Sequence, residues 1–217
     1  MSATDHYSLN YRILLPENRD ARILDLGCGE GDFIRFAHGL GFRKLTGVDR
    51  DQDVIRALGD LEGVTPIHAD VTPEFLTRLG GGWDLIVAKQ MIYYFDRKEA
   101  PGLVQKIAHS LADNGRLIVE IFNGALLSSR FTELKDPAIL TAYTEQGLKR
   151  LLDRNGLVVE RLVGAKAGER RLRSRAYQLA RRAWFRTYRR LLIIERGFDD
   201  ELPAIGDKAI IAVARRA

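Results

Sequence analysis

Residues 23–33 read ILDLGCGEGDF, an apolar run that leads directly into three glycines at alternate positions, Gly27, Gly29 and Gly31. The run predicts a buried strand, and the glycines predict a sharp turn over which a ligand can lie almost against the main chain. In a chain that alternates strands and helices, the turn after the first strand is where a nucleoside-bearing ligand sits, above the next helix N-terminus. A dinucleotide site asks for GxGxxG, and counting from Gly27 the third glycine would fall at Asp32, so that pattern fails. The pattern present is DxGxGxG, from Asp25 to Gly31. The competing reading is a tight glycine turn with no ligand.

Working outward, hydrophobic periodicity and turn residues predict alternation along most of the chain. Strands are expected at 22–26, 44–48, 64–68, 84–88, 116–122, 157–163 and 208–214. Helices are expected at 31–40, from Asp51 through Leu58, at 73–79, at 98–111 and from Thr144 to Arg154. Pro73 stands at a permitted first-turn position, Asn114 and Gly115 predict a turn, and Asn155 and Gly156 predict a helix end. The expected fold is α/β, a Rossmann-like, seven-stranded, mostly parallel sheet with helices on both faces and one reversed strand at the end. A single domain over 1–217 is expected, with a basic helical insertion at 164–206 between the sixth and seventh strands.

Acidic residues close consecutive strands. Asp49 follows the second strand about 20 residues after the glycine turn, the placement that brings a carboxylate to the two hydroxyls of a ribose. A carboxylate accepts two hydrogen bonds at once, which suits a vicinal diol. Asp70, past the third strand, is placed to accept from an exocyclic amine such as that of adenine, with Val71 packing on the ring. Taken singly, such an Asp is more often a helix cap or a turn residue.

Four segments carry a family resemblance: ILDLGCGEGDF, GVDRD at 47–51, IHAD at 67–70 and WDLIVAKQMIYYF at 83–95, followed by LADNGRLIVEIFN at 111–123. From Ile23 to Val163 the chain resembles class I S-adenosylmethionine (SAM) methyltransferases. The resemblance implies SAM as cofactor, with Gly27, Cys28 and Gly29 against it, Asp25 facing its ammonium, Asp49 and Arg50 at the ribose, and Asp70 and Val71 at the adenine. Lys89 is implied beside the methyl group. Where that family often ends its fourth-strand segment in two histidines or Glu-His, this chain has Tyr93 and Tyr94.

Methyl transfer asks mainly for alignment of nucleophile, methyl and sulfur, and for removal of a proton when the acceptor is a hydroxyl. The candidate catalytic residues are Lys89, Tyr93 and Glu120, with Gln90, Tyr94 and Asn123 nearby. Burial beside a positive sulfur would depress the Lys89 pKa enough for base chemistry. Packing alone is the plainer reading of Tyr93 and Tyr94, and ion pairing that of Lys89. His6 and Tyr7 are candidates for a lid over the cofactor. No cluster has the spacing of a metal site.

The order of segments, from YRILLPENRDARILDLGCGEGDF to FTELKDPAILTAYTEQGLKRLLDRNGLVVERL and a basic insertion, is similar to bacterial methyltransferases of polysaccharide and lipopolysaccharide synthesis. That likeness implies O-methylation of a sugar hydroxyl on a glycan or saccharide intermediate. Ala138 and Ile139 stand where that group often has Thr-His, while Asp136, Tyr143 and Thr144 remain. The alternatives are another small-molecule acceptor, a nucleic acid, and a SAM-binding module without catalysis. Against nucleic acid, Ala88, Lys89, Gln90 and Met91 stand where many amino-group methyltransferases carry Asn-Pro-Pro-Tyr or Asp-Pro-Pro-Tyr.

Charge is uneven. Lys166 to Arg196 holds eleven basic and two acidic residues, a net of +9 in a chain of +5, so the remainder carries −4. Between Arg170 and Leu192, residues Leu172, Ala176, Leu179, Ala180, Ala183, Trp184 and Leu191 recur at helical intervals, opposite Arg175, Arg182, Arg186 and Arg189, with Phe185 on the charged side. The segment is expected to cover a sheet edge or acceptor cleft, to rest on an anionic membrane surface, or to hold nucleic acid. With 217 residues, 46% hydrophobic, the chain can bury one substantial core, and its single cysteine suits a reducing compartment. The opening MSATDHYSLNYRILLP lacks a basic start followed by an apolar run, so a cytoplasmic protein is expected, in peripheral contact with the inner membrane face if the insertion binds lipid.

Overall fold

The computed structural model describes residues 3–166, 172–197 and 201–217. Seven strands form one sheet: β1 (Ile23–Leu26), β2 (Leu45–Asp49), β3 (Val64–His68), β4 (Trp83–Lys89), β5 (Leu111–Phe122), β6 (Leu157–Gly164) and β7 (Ala209–Arg216). Their spatial order is β3-β2-β1-β4-β5-β7-β6. β1 to β5 pair in parallel, and β7 runs antiparallel to both β5 and β6, giving the expected reversed strand. The direction of winding reverses at β1, which has β2 on one side and β4 on the other. In such sheets the crevice beyond the strands' carboxyl ends at this reversal is where ligands bind.

The eight α-helices of the described residues are α1 (Ala3–Asn10), α2 (Asp32–Gly39), α3 (Gln52–Leu58), α4 (Pro73–Leu79), α5 (Glu99–Ser110), α6 (Ser129–Lys135), α7 (Glu145–Asp153) and α8 (Leu172–Arg196). Local chemistry starts three of them. The Asp51 carboxylate accepts from the Asp53 amide at 2.9 Å, the Thr72 hydroxyl from the Phe75 amide at 3.1 Å with Pro73 at the first turn, and the Thr144 hydroxyl from the Gly147 amide at 3.1 Å. Each satisfies an N–H with no partner inside its helix.

Successive side chains of the central strands point to opposite faces, and both faces are covered, so every residue of β1 is buried. Leu24, Leu26, Ile86 and Ala88 pack with Leu103, Val104, Ile107, Leu148 and Leu152 of α5 and α7. Ile23, Leu85 and Val87 pack with Phe33, Ile34 and Ala37 of α2 and with Tyr7 and Tyr11.

The structure departs from the sequence-based expectations in four places. α1 forms where no element was expected, because Tyr7 stacks on Phe36 at a centroid distance of 5.5 Å and meets Phe33 edge-on at 5.6 Å. α6 is likewise additional. The expected turn at Asn114-Gly115 is absorbed into β5 as a register shift opposite Trp83 and Leu85. A Cβ at Gly115 would stand 2.4 Å from the Trp83 carbonyl oxygen, so a side chain there would force the two strands apart.

The fourth departure is the orientation of α8. Its half-buried residues are Gln178, Arg181, Phe185, Tyr188, Leu192 and Ile193. Phe185, expected on the charged side, packs where a Cβ on Gly206 would come within 2.7 Å of its ring. Arg181 pairs with Asp207, and the Tyr188 hydroxyl donates to the Ala125 carbonyl at 3.1 Å. The expected inner face, Leu179, Trp184 and Leu191, is instead exposed. The helix has two apolar sides, and hydropathy alone does not say which one turns inward. The side chains of Leu172 and Arg175, and Arg170 itself, lie outside the described residues. Among the described residues no helix is long and apolar enough to cross a membrane.

Candidate functional site

The carboxyl ends of β1, β2 and β4 open onto a cleft of about 680 Å³. The glycine turn forms one wall, with Gly27, Cys28 and Gly29. Asp49 and Arg50 follow β2, Asp70 and Val71 follow β3, and Lys89, Gln90 and Met91 follow β4. All the residues expected to hold the cofactor, Asp25 included, line this one cleft. Tyr7, Glu30, Asp32, Ala69, Thr72, Tyr94 and Phe95 line it as well.

The turn is shaped by its glycines. Gly31, at φ +73°, precedes α2, and a Cβ there would lie 2.5 Å from Leu58 Cδ2, so both backbone and packing require glycine. Gly29, at φ +49°, differs: a Cβ there would meet no atom within 4 Å, so the space above its backbone is open cleft. Asp49 braces this turn, accepting from the Gly29 amide at 2.8 Å through Oδ2 and from the Asp51 amide at 3.0 Å through Oδ1. The carboxylate is thereby held at the cleft wall with lone pairs to spare.

Asp25 is buried at the floor. Burial, offset in part by the Lys89 charge and reinforced by that of Asp49, pushes its carboxyl up to about 7. A carboxyl poised in this way gains from a cationic ligand, because a positive charge beside it favours the ionised form. Burial likewise raises the Cys28 thiol well above its ordinary range, so it is a packing residue with no thiolate character.

Lys89 enters the cleft with Nζ 5.7 Å from the centroid of the Tyr7 ring. Gln90 has φ +56°, the one positive φ at a non-glycine among the described residues. Its amide donates to the Glu120 carbonyl at 2.7 Å, and its Oε1 accepts from the Tyr93 hydroxyl at 2.9 Å. Such backbone costs on the order of 1–3 kcal/mol and persists where surrounding contacts enforce it. The result is a glutamine side chain aimed into the cleft from a rigid mount.

Of the three expected catalytic residues, Lys89 alone lines the cleft. Tyr93 is buried behind Gln90, packed against Phe122 at 5.0 Å, while its neighbour Tyr94 reaches the cleft with its hydroxyl donating to Asp136 at 3.0 Å. Glu120 is buried under α1, where Oε2 accepts from His6 Nε2 at 2.9 Å and from the Tyr11 hydroxyl at 2.7 Å. Although burial pushes its carboxyl up, the His6 and Tyr11 hydrogen bonds and the nearby Lys89 hold it below its ordinary value. Burial and the Glu120 charge raise Tyr11 well above the ordinary phenol range. Asn123, another candidate, donates to the Ile205 and Asp207 carbonyls at 2.8 and 3.1 Å and ties β5 to the chain before β7.

Of the lid candidates His6 and Tyr7, both on α1, Tyr7 lines the cleft and His6 stands on the buried Glu120. Tyr7 presents its ring to the cleft and His6 anchors the helix on Glu120. Asn10 completes the attachment, its Nδ2 donating to the Lys166 carbonyl at 3.1 Å and its Oδ1 accepting from the Lys166 amide at 2.7 Å. Their sequence signal is the aromatic spacing of Tyr7 and Tyr11, four apart, with Tyr11 just past the end of α1.

The donor set fits SAM: an acid for the ribose, an acid at the floor for the ammonium, and a bare backbone over which the ligand can lie. Asp25, Gly27, Gly29, Asp49 and Asp70 would hold it.

Comparison with known proteins agrees. Residues 8–162 match the family described as Methyltransferase domain. Comparison with curated proteins finds no significant sequence match. Among solved structures, a SAM-dependent methyltransferase from Archaeoglobus fulgidus is 18% identical, with a TM-score of 0.64 over 91% of this chain and 86% of that one. Magnesium protoporphyrin IX methyltransferase from Synechocystis, solved with S-adenosylhomocysteine, is 15% identical, with a TM-score of 0.62 over 99% and 83%. The Burkholderia thailandensis 1,6-didemethyltoxoflavin-N1-methyltransferase, solved with 1,6-didemethyltoxoflavin and S-adenosylhomocysteine, is 16% identical, with a TM-score of 0.60 over 100% and 79%. At these identities the structures establish a shared fold.

Proposed function

The chain belongs to the methyltransferase-domain family and is a SAM-dependent enzyme, and from that premise we propose that it methylates a hydroxyl of a polar small molecule, a saccharide unit in particular. The observation that carries the acceptor reading is the polar lining that follows β4, where Lys89, Gln90 and Tyr94, its hydroxyl held by Asp136, line the cleft. Fixed donors and acceptors of this kind suit a polyhydroxylated acceptor, the class that the resemblance in segment order implies. The cofactor supplies a methyl group already activated on positive sulfur.

What remains for the protein is alignment and proton handling. Gln90, mounted on Tyr93, orients the acceptor through its amide. Lys89, as its free amine, would take the hydroxyl proton as the oxygen–carbon bond forms and the methyl–sulfur bond breaks, with Asp25 left to the ammonium. Tyr7 and Phe95 exclude water. Glu120 keeps α1, and with it Tyr7, over the cleft. In this account Lys89 is the catalytic residue and Tyr93 and Glu120 are positioning residues.

The test is calorimetric titration with SAM, S-adenosylhomocysteine and NAD, followed by a radiolabelled-methyl screen over saccharides, other small molecules and oligonucleotides. Binding of the first two ligands and label on saccharides supports the reading. Label on oligonucleotides or on non-sugar metabolites alone refutes the saccharide acceptor. Binding without label on any class favours a SAM-binding module.

A further inference from the structure

α8 carries more apolar surface than its seat on the sheet requires. Trp184 and Leu191 stand with Tyr177 on one outward shoulder, each more than half exposed, and Ile194 beyond them is 82% exposed. The opposite shoulder carries Arg182, Arg186 and Arg189, all exposed. Large apolar side chains left in water as a contiguous patch, rather than singly, mark a surface that meets something.

The patch extends beyond α8. Tyr188 lies beside Trp184 and Leu191 on the helix, and its bond to the Ala125 carbonyl brings the apolar shoulder next to the turn that opens α6. There Leu127, Phe131 and Leu134 are also exposed, Phe131 at 77%. The far end of α6 reaches the cleft, since Asp136 accepts from the Tyr94 hydroxyl. Exposed apolar residues thus stand on α8, beside its arginines, and on the neighbouring α6.

We propose that α8 and α6 lie on an anionic lipid surface, with Trp184, Leu191, Ile194 and Phe131 in the headgroup boundary and the α8 arginines on lipid phosphates. A helix with an apolar side and an arginine-rich side, too polar to span, is suited to lie in the plane of a bilayer. Charge complementarity selects the occupant. Lys166 to Arg196 carries +9 while the rest of the chain carries −4, and within it Arg182, Arg186 and Arg189 stand exposed on α8. A second copy of the chain would bring two such segments of like charge together. A nucleic acid would use the arginines and leave the aliphatic shoulder in water. The proposal goes beyond the methyl-transfer reading and does not depend on it.

The chain contains two tryptophans, and this makes the test direct. Trp83 is 5% exposed in the core and Trp184 is 56% exposed on the proposed surface, so a change in emission on binding reports Trp184. The full chain, without SAM, is titrated with vesicles of phosphatidylcholine alone and of phosphatidylcholine mixed with phosphatidylglycerol. A blue shift and vesicle co-sedimentation are expected with the anionic vesicles only. Arg182→Glu with Arg186→Glu is expected to weaken partitioning about thirtyfold or more, since each basic residue near an anionic surface contributes separately. Both residues are exposed, and circular dichroism of the double variant establishes that it folds. Absence of a shift or of sedimentation with anionic vesicles for the wild-type chain overturns the proposal. So does self-association in sedimentation velocity that Trp184→Ser abolishes, or a Trp184 shift with RNA oligonucleotides in the absence of any with vesicles.

Discussion

The Tyr11 hydroxyl donates to Oε2 of Glu120 at 2.7 Å, across a sequence separation of 109 residues, and both groups are buried. The same oxygen takes His6 Nε2, so one carboxylate near the carboxyl end of β5 holds the N-terminal helix in place. Glu120→Ala is expected to destabilise the protein by about 1–3 kcal/mol, because it strands a buried phenol. Glu120→Gln, which keeps an acceptor, should cost clearly less. Thermal denaturation of the two variants makes the comparison, and equal losses would contradict the anchoring role.

Asp49 offers a cofactor-side test. It braces Gly29 and faces the cleft, so Asp49→Ala removes a charged acceptor for ligand hydroxyls and loosens the turn. SAM affinity is expected to fall by about 1–3 kcal/mol in a calorimetric titration. Unchanged affinity would argue that the ribose does not sit at this wall.

The raised carboxyl of Asp25 gives a pH signature. Between its ordinary value of 3.8 and about 7 the folded protein holds a proton that the unfolded chain has released. This group therefore lowers stability progressively as pH rises through that window, and adds no further slope above it. Asp25→Asn should remove that slope and make the ligand-free protein more stable at pH 8, by up to about 4 kcal/mol from a shift of this size. Denaturant titrations at several pH values measure it.

Ligand binding should run the other way with pH. A cationic amino group beside Asp25 prefers the carboxylate, so SAM affinity is expected to rise from pH 6 to pH 8 and then level. In Asp25→Asn the rise should vanish and the affinity remain low throughout. An unaltered pH profile in the variant would place the ligand cation elsewhere.

Tyr93→Phe removes the hydroxyl that holds the Gln90 amide, with little change in packed volume. The expected result is a drop in kcat of about tenfold or less, unchanged SAM affinity, and a larger effect for Gln90→Ala. If Tyr93→Phe lowered turnover as far as Lys89→Ala does, Tyr93 would have to touch the acceptor itself, contrary to its position behind Gln90.

The class of sheet and the glycines and acids that line the cleft were legible in the sequence because they depend on local signals. Apolar runs of strand length, capping residues such as Asp51 and Thr144, and glycines at alternate positions each act within a few residues, and the acids that matter stand directly at strand ends. The acceptor side was less legible. Tyr93 and Tyr94 are adjacent in sequence and chemically identical, and which one enters the cleft depends on the helical turn after β4 and on partners at Gln90 and Asp136. Glu120 reads as an acid at the cleft, but its burial under α1 requires Tyr11 and His6 from the other end of the chain.

By itself, the sequence determined the class of sheet, the glycine turn and the carboxylates that line the cofactor cleft, because backbone conformation and strand-end placement are set by neighbouring residues. Only the tertiary structure decided that α1 brings Tyr7 to the cleft, that Glu120 serves as its anchor, and that α8 turns Phe185 inward and Trp184 outward. Those outcomes depend on competition between surfaces distant in the chain. α8 has two apolar sides of comparable size, and the packing at Gly206 and the Asp207 ion pair select the one that is buried.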